Sequence, residues 1–407
     1  MVRRVAFVVP YALDATLRFV RAAAELPGVH LGIVSQEPAE RLPAELRARI
    51  AGHVRVGDAL DARELGEALT RLGPQLGGAV DALVGILEQL QVPMAEVRER
   101  AGIRGMGVEE AHNFRDKARM KDVLRAHGVA CARHALATNA NEALAFAAEC
   151  LPLVAKPPAG AGAKNTFRVD RREDLESWLR TVPPTPASPL LLEEFVVGEE
   201  HSFDSVSLHG RHLFHSISRY YPSPLEVLET PWIQWCVLLP RRVDGPEYAD
   251  IVAAGRRTLD ALGMWSGLTH MEWFRRPDGS VAISEVAARP PGAQFTTLLS
   301  HAHDVDFYRA WARLAVFEEF EVPERRFAAG AAYLRGQGEG RVARVRGLAE
   351  LERELDGLVV EARLPRPGQG KGSGYEGEGY VVLRHPETEA VIAGLRRLVD
   401  TIRVDLE

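Results

Sequence analysis

The sequence predicts an α/β chain whose N-terminal part is a parallel sheet and whose remainder is α+β. Three observations predict it. Residues 1–108 alternate short apolar runs with helical patterns. A later stretch, HMEWFRRPDGSVAISEVAARPPG, reads as strand, turn and strand. The 407 residues suffice for about two to three domains or subdomains.

Within residues 1–108, Val5 to Val9 reads as a strand, Leu13 to Leu26 as a helix and Val29 to Val34 as a second strand. Leu65 to Leu72 is helical, Ala79 to Ile86 is apolar enough for a strand, and Pro93 to Arg100 is helical again. Strands separated by helices imply a parallel sheet with helices on its faces. The start, MVRRVAFVVPYALD, is like a signal peptide only briefly, because Pro10 and Asp14 interrupt its apolar run. The turn after the first strand is Pro10-Tyr11-Ala12, not GxGxxG, so no dinucleotide site is expected there. Glu88 follows the Ala79–Leu87 run at a strand's C-terminal end, where such folds place ligands. A helix-start or surface acid is the equal alternative.

Residues 109–205 read as linker helices and a small subdomain. NFRDKARMKDVLRAHGV reads as a helix, with Lys117, Met120, Lys121 and Leu124 at helical spacings and Gly128 as its stop. Leu151 to Ala155 form a short apolar strand that ends in Lys156, and a loop with Gly160 and Gly162 follows. Such a loop lets backbone N–H groups approach phosphate oxygens, and a lysine at its edge adds positive charge. It is not a Walker A loop. Helices are expected at Asn141 to Cys150 and Glu173 to Arg180, with a proline-rich surface loop from Thr181 to Pro189. Leu190 to Leu192 form a strand running into Glu193, Glu194, Phe195 and Val196, and another strand resumes near His201.

Residues 206–325 hold the hairpin. Met271, Trp273 and Phe274 lead into Arg276-Pro277-Asp278-Gly279, a turn signal, and Val281, Ala282, Ile283 and Val286 resume the apolar pattern. This geometry can set Glu272 beside Glu285, with Arg289 close behind. Adjacent carboxylates repel unless positive charge lies between them. Oxygen ligands suit Mg2+, which shares its shell with nucleotide phosphates. The alternative is an exposed hairpin with two solvated acids. Residues 326–407 read as a small β-rich C-terminal subdomain, with strands at Ala331 to Leu334, Leu358 to Ala362 and Tyr380 to Leu383 and a helix at Thr388 to Ile402.

The ordered set resembles the ATP-grasp superfamily, and within it the carboxylate–amine ligases of the L-amino-acid ligase type. The set is Asp116-Lys117, then Lys156 before the glycine loop, then Glu193-Glu194-Phe195-Val196, Gly198-Glu199-Glu200, Glu272, and Glu285 with Arg289. Each piece alone is weak, and the order makes it specific. The resemblance covers the whole chain and implies four parts. They are a pre-ATP-grasp domain (1–108), linker helices with the lid (109–205), a core with a metal site (206–325) and a C-terminal subdomain (326–407).

The resemblance also implies roles. Lys117 and Lys156 neutralise phosphates, with Lys156 and Arg289 assisting transfer. Gly160 and Gly162 belong to the loop over the phosphates, where Lys164 and Asn165 are further candidates. Glu193, Phe195 and Val196 form the adenine hinge, and Glu200, with Glu199 as its rival, holds the ribose. Glu272 and Glu285 hold one or two Mg2+ ions, with Mn2+ a possible substitute. The implied reaction forms an acyl phosphate from ATP and a carboxylate, which an amine then attacks. One departure matters: the family's E-x-N-x-R is here Glu285-Val286-Ala287-Ala288-Arg289, so Ala287 replaces a metal-ligating Asn. That speaks against biotin-carboxylase and D-alanine-ligase assignments. The alternatives are a purine-pathway-type enzyme activating formate or bicarbonate, and a non-catalytic ATP-binding protein.

The substrates are expected to be a small acid and an amine. Tyr220, Tyr221, Trp232 and Trp235 make SRYYPSPLEVLETPWIQWCVLLP aromatic, suited to a substrate pocket or equally to the core. His270 falls on the same strand face as Glu272 and suits either substrate contact or a structural role. A net charge of −6, with arginines in pairs and not tracts, gives no electrostatic case for nucleic acid or an anionic membrane. No apolar run is long enough to span a bilayer. Three cysteines without CxxC spacing point to a reducing cytoplasm. A homodimer is the family's common state.

Overall fold

The computed structural model describes residues 2–160, 166–230, 233–372, 374 and 376–407. The N-terminal region is a four-stranded parallel sheet in the spatial order Gly52–Arg55, Val29–Ser35, Arg3–Val8, Ala82–Val84. Its central strand is apolar on both faces, and Val5 to Val9 are fully buried because helices Asp14–Ala24, Ala62–Leu76 and Gln91–Ala101 cover the sheet. Asp61 caps the second helix by accepting from the Arg63 and Glu64 N–H groups. The expected Ala79–Ile86 strand shortens to Ala82–Val84. Gly78 has φ +152°, and Arg4 N–H donates to the Asp81 side chain, so ladder pairing starts only afterwards.

The helix expected across Asn113–Gly128 is two helices, Val108–Arg115 and Lys117–Ala126. Asp116 separates them with φ −92° and ψ 110°, and its carboxylate accepts from the Ala118 and Arg119 N–H groups. An N-cap residue must leave helical geometry to do this.

A second, four-stranded antiparallel sheet, in the part expected to be the lid, is ordered His134–Ala137, Leu190–Glu194, Leu153–Lys156, Phe167–Val169. Helices Ala140–Glu149 and Arg172–Thr181 pack on it through Ala143, Ala147, Leu175 and Leu179.

The core is one eight-stranded antiparallel sheet. Its order is Val281–Ala287, Gly267–Arg275, Glu199–Leu208, Arg211–Tyr221, Trp235–Leu239, Ala328–Leu334, Gly379–His385, Val359–Arg363. Two expected boundaries do not divide it. The Glu199–Leu208 strand crosses residue 205, and residues 326–407 supply three strands to the same sheet. Strand Ala328–Leu334 is buried along its whole length, so its apolar faces need neighbours on both sides. Along Gly267–Arg275, Met271 and Trp273 face one core with Met120, Leu124 and Ile251. Leu268, on the other face, joins a core with Val206, Phe295 and Leu298. Period-two alternation therefore sends His270 and Glu272 to that second face, where the sheet meets the cleft.

Candidate active site

The hairpin pairs Glu272 directly with Glu285. A bulge makes this possible: Trp273 pairs with Ile283 and Glu272 with Glu285, leaving Ser284 as the extra residue. On the neighbouring strand, Glu272 faces Ser202, His270 faces Asp204 and Phe274 faces Glu200. The same sheet face thus carries Glu200, His270, Glu272 and Glu285, all lining one cleft of about 340 Å3.

Positive charge enters from the opposite side. Lys117, at the start of its helix, places Nζ 2.5 Å from Glu285 Oε1 and 3.3 Å from the Gly160 carbonyl. Lys156, at the end of its lid strand, lies 2.8 Å from Glu193 Oε2. Lys117, Lys156 and Gly160 all line the cleft. Gly162, Lys164 and Asn165 lie outside the described residues.

The carboxylates differ in proton affinity. Burial raises the Glu272 pKa, and the neighbouring Glu285 charge raises it further. Burial also pushes Glu200 well above the ordinary range, with Glu272 adding repulsion. Glu285 goes the other way: burial would raise it, but Lys117 and Lys156 outweigh that and lower it. The two carboxylates paired across the hairpin offer oxygens of the type a hard divalent cation takes, although no group of three or more His, Cys, Asp or Glu side chains among the described residues is arranged to hold a metal ion. Ala287 lines the cleft opposite His270, so no amide oxygen reaches in from that position.

At the hinge, the expected adenine contact is through the backbone; the Glu193 side chain is buried between two lysines, 2.8 Å from each of Lys121 and Lys156. The Glu194 and Phe195 N–H groups donate to the carbonyls of Arg133 and Pro152, and Val196 and Val197 line the cleft beyond them. The Arg168 guanidinium lies 4.2 Å from the Phe195 ring centroid. Gly198 brings the hinge against the hairpin: a Cβ there would lie 2.5 Å from the Arg275 carbonyl oxygen. Glu200 points into the cleft, whereas the Glu199 side chain is 85% exposed on the other face.

Arg289 lines the cleft and bonds Glu88 at 2.7 Å. Glu88 is buried in a short helical turn, Glu88–Leu90. It touches the site through Arg289 and does not itself line the cleft. His270 donates or accepts at 2.6 Å with Asp204 and sits 3.8 Å from Glu272. Burial would lower its pKa, but Asp204 outweighs this and raises it. The aromatic segment splits. Tyr220 and Trp235 line the cleft with Phe274 and Phe295. Tyr221 lines a separate cavity with Cys236 on the far side of the sheet, and Trp232 lies outside the described residues. Lys121, fully buried at the site's back wall, drew no role from the sequence; its spacing of four from Lys117 on one helix was the available signal.

Two antiparallel sheets flank one cleft, with lysines on one side and a carboxylate hairpin on the other, and the chain shares this ATP-grasp fold with solved structures. An L-amino acid ligase from Bacillus licheniformis superposes with TM-score 0.79 at 20% identity, over 100% of this chain and 99% of that one. N5-carboxyaminoimidazole ribonucleotide synthetase from Thermotoga maritima gives TM-score 0.70 at 17% identity, with 100% of both chains covered. In sequence, the chain is 27% identical to the L-arginine-specific L-amino acid ligase of Bacillus subtilis over 249 residues, 60% of this chain and 59% of that protein. It is 26% identical to the alanine–anticapsin ligase of Bacillus subtilis over 269 residues, 60% of this chain and 56% of that protein. The chain thus matches under two thirds of the length of these relatives. No protein-family model matches it. No helix among the described residues is long and apolar enough to cross a membrane.

Proposed function

We propose that the protein is an ATP-dependent carboxylate–amine ligase that joins an amino acid or related acid to an amine and releases ADP and phosphate. The observation that carries the reading is the paired Glu272 and Glu285 facing Lys117 and Lys156 across one cleft. Relatives named as amino acid ligases support it.

In this reading Val196 and its neighbours hold adenine, Glu200 holds the ribose hydroxyls, and Lys117 and Lys156 neutralise phosphate charge. Glu272 and Glu285 would hold Mg2+, whose charge would offset that of the phosphates. Arg289, fixed by Glu88, presents a guanidinium to the transferred phosphoryl group or to the acid. The acid's carboxylate attacks the γ-phosphorus, ADP leaves, and the amine then displaces phosphate from the acyl phosphate. No protein nucleophile is required, so catalysis is positioning and charge neutralisation. Tyr220, Trp235, Phe274 and Phe295 give the cleft an apolar wall, which suits an acid with an apolar body over formate or bicarbonate. Free cysteines fit a cytoplasmic setting.

The test is ADP and phosphate release with Mg-ATP across amino acids, singly and in pairs, with products followed by mass spectrometry. A pair that raises turnover and yields a product of summed mass less one water is the expected result. ATP binding without turnover for any pair points to a non-catalytic protein or an acid outside the panel.

A further inference from the structure

Lys121 has a fully buried side chain on the Lys117–Ala126 helix, and burial lowers its pKa despite the neighbouring Glu193 charge. A buried ammonium is costly unless partners satisfy it, and here the partners come from two different sheets. On the lid side, Nζ forms an ion pair at 2.8 Å with Glu193 Oε1, whose other oxygen holds Lys156 at 2.8 Å. On the core side, Nζ donates at 2.7 Å to the carbonyl of Ser284. Ser284 is the bulged residue that sets Glu285 opposite Glu272.

Other contacts fix the same edge. Val281–Ala287 is the outermost strand of the eight-stranded sheet, so its outer edge needs partners from elsewhere. Ile283 N–H donates to the Ala130 carbonyl at 2.8 Å, and Val286 N–H approaches Met120 Sδ at 3.3 Å. Lys117, one turn before Lys121, holds the Glu285 carboxylate. One helix therefore grips the bulge backbone and the carboxylate beside it, and it also reaches the lid, through Lys121 to Glu193 and through Lys117 to the Gly160 carbonyl.

We propose that Lys121 is a positioning residue that sets the distance between the lid's phosphate lysine, Lys156, and the core's carboxylate pair. It acts on Lys156 through Glu193 and on Glu285 through the Ser284 bulge, and it touches neither nucleotide nor substrate. The inference rests on the ligase reading of the cleft. A purely structural buried lysine would stabilise the fold without affecting where phosphate and cation meet.

The experiment compares wild type with Lys121→Met and Lys121→Arg, each checked for folding by circular dichroism and assayed well below its melting temperature. Nucleotide binding is read with AMP-PNP alone, cation binding with Mn2+ and AMP-PNP by electron paramagnetic resonance, and turnover with the amino-acid panel. Misplacing reacting groups by about 1 Å can cost about 100-fold in rate, so Lys121→Met is expected to lower kcat by about that factor. Mn2+ affinity is expected to weaken about tenfold in the same variant, while AMP-PNP affinity without metal stays within about threefold, because the hinge is untouched. Lys121→Arg keeps the charge but moves the donors, and is expected to fall between. Folded variants with wild-type kcat and Mn2+ affinity overturn the inference, as does failure of both variants to fold, which assigns Lys121 to the fold alone. Wild-type protein that binds no Mg-ATP overturns the functional reading instead.

Discussion

Glu193 and Glu272 are carboxylates on neighbouring walls of one cleft, the first buried and the second partly open to it, and the protein treats them in opposite ways. Burial alone would raise both. Lys121 and Lys156 outweigh it at Glu193 and hold that group down to about 2. At Glu272 the nearest strong influence is another carboxylate, Glu285, and the pKa rises. The first glutamate is satisfied by its own chain and belongs to the architecture of the lid junction. At the second, His270, Lys117 and Lys156 offset the burial and the repulsion only in part. Burial of an acid is thus uninformative by itself; the sign of its neighbours separates scaffold from site.

The sharpest way to break this contrast is Glu285→Ala. Loss of a cation ligand removes several kcal/mol of transition-state charge stabilisation, so Mg-dependent ATP turnover is expected to fall by about 1,000-fold or more. Retained turnover in steady-state assays would sink the metal assignment. The matching change on the other side is Glu193→Ala, which leaves two buried lysines without their carboxylate. Removing one partner of a buried pair costs about 3–5 kcal/mol, readable as a drop in the urea midpoint.

The same glutamate makes a pH prediction. Its folded-state pKa lies below the ordinary value of 4.5, at about 2. It therefore contributes stability above the ordinary range that is lost as the pH falls toward about 2. The acid limb of the wild-type stability curve should be steeper than that of Glu193→Gln, and superimposable curves would refute the pairing.

Smaller effects sharpen the picture around the cleft. Glu88→Gln weakens the hold on Arg289 without removing a lining group, so kcat should drop about tenfold with nucleotide affinity little changed. The two adjacent tyrosines give the smallest test. Tyr220 lines the cleft, whereas Tyr221 is 44% exposed and lines the outer cavity. Tyr221→Ala should leave turnover within about twofold and stability within about 0.5 kcal/mol, the usual range for surface changes.

Much of this was legible in the chain. The Glu272–Glu285 pairing followed from a Pro-Asp-Gly turn between two apolar runs, because hairpins are local. The preference for Glu200 over Glu199 agrees with alternation along the Glu199–Leu208 strand, which turns the first inward and the second to solvent. The break at Asp116 was missed, although its two-residue reach to the Ala118 N–H is a cap signature. The place of the Glu193 side chain between two lysines was not legible, because a carboxylate in an apolar strand looks the same whatever it faces.

The sequence by itself determined the order of lysine, glycine loop, hinge and glutamate pair, since each is a short pattern set by turn chemistry and period. It also determined the alternating N-terminal sheet. Only the tertiary structure decided that residues 326–407 complete the core sheet, that Glu88 pairs with Arg289, and that Lys121 bonds both Glu193 and the Ser284 carbonyl. Lys121 and Ser284 are 163 residues apart, and nothing in either neighbourhood encodes the other. Such partners are chosen by packing, which buries both groups and leaves each as the other's available means of satisfying its charge or hydrogen bond.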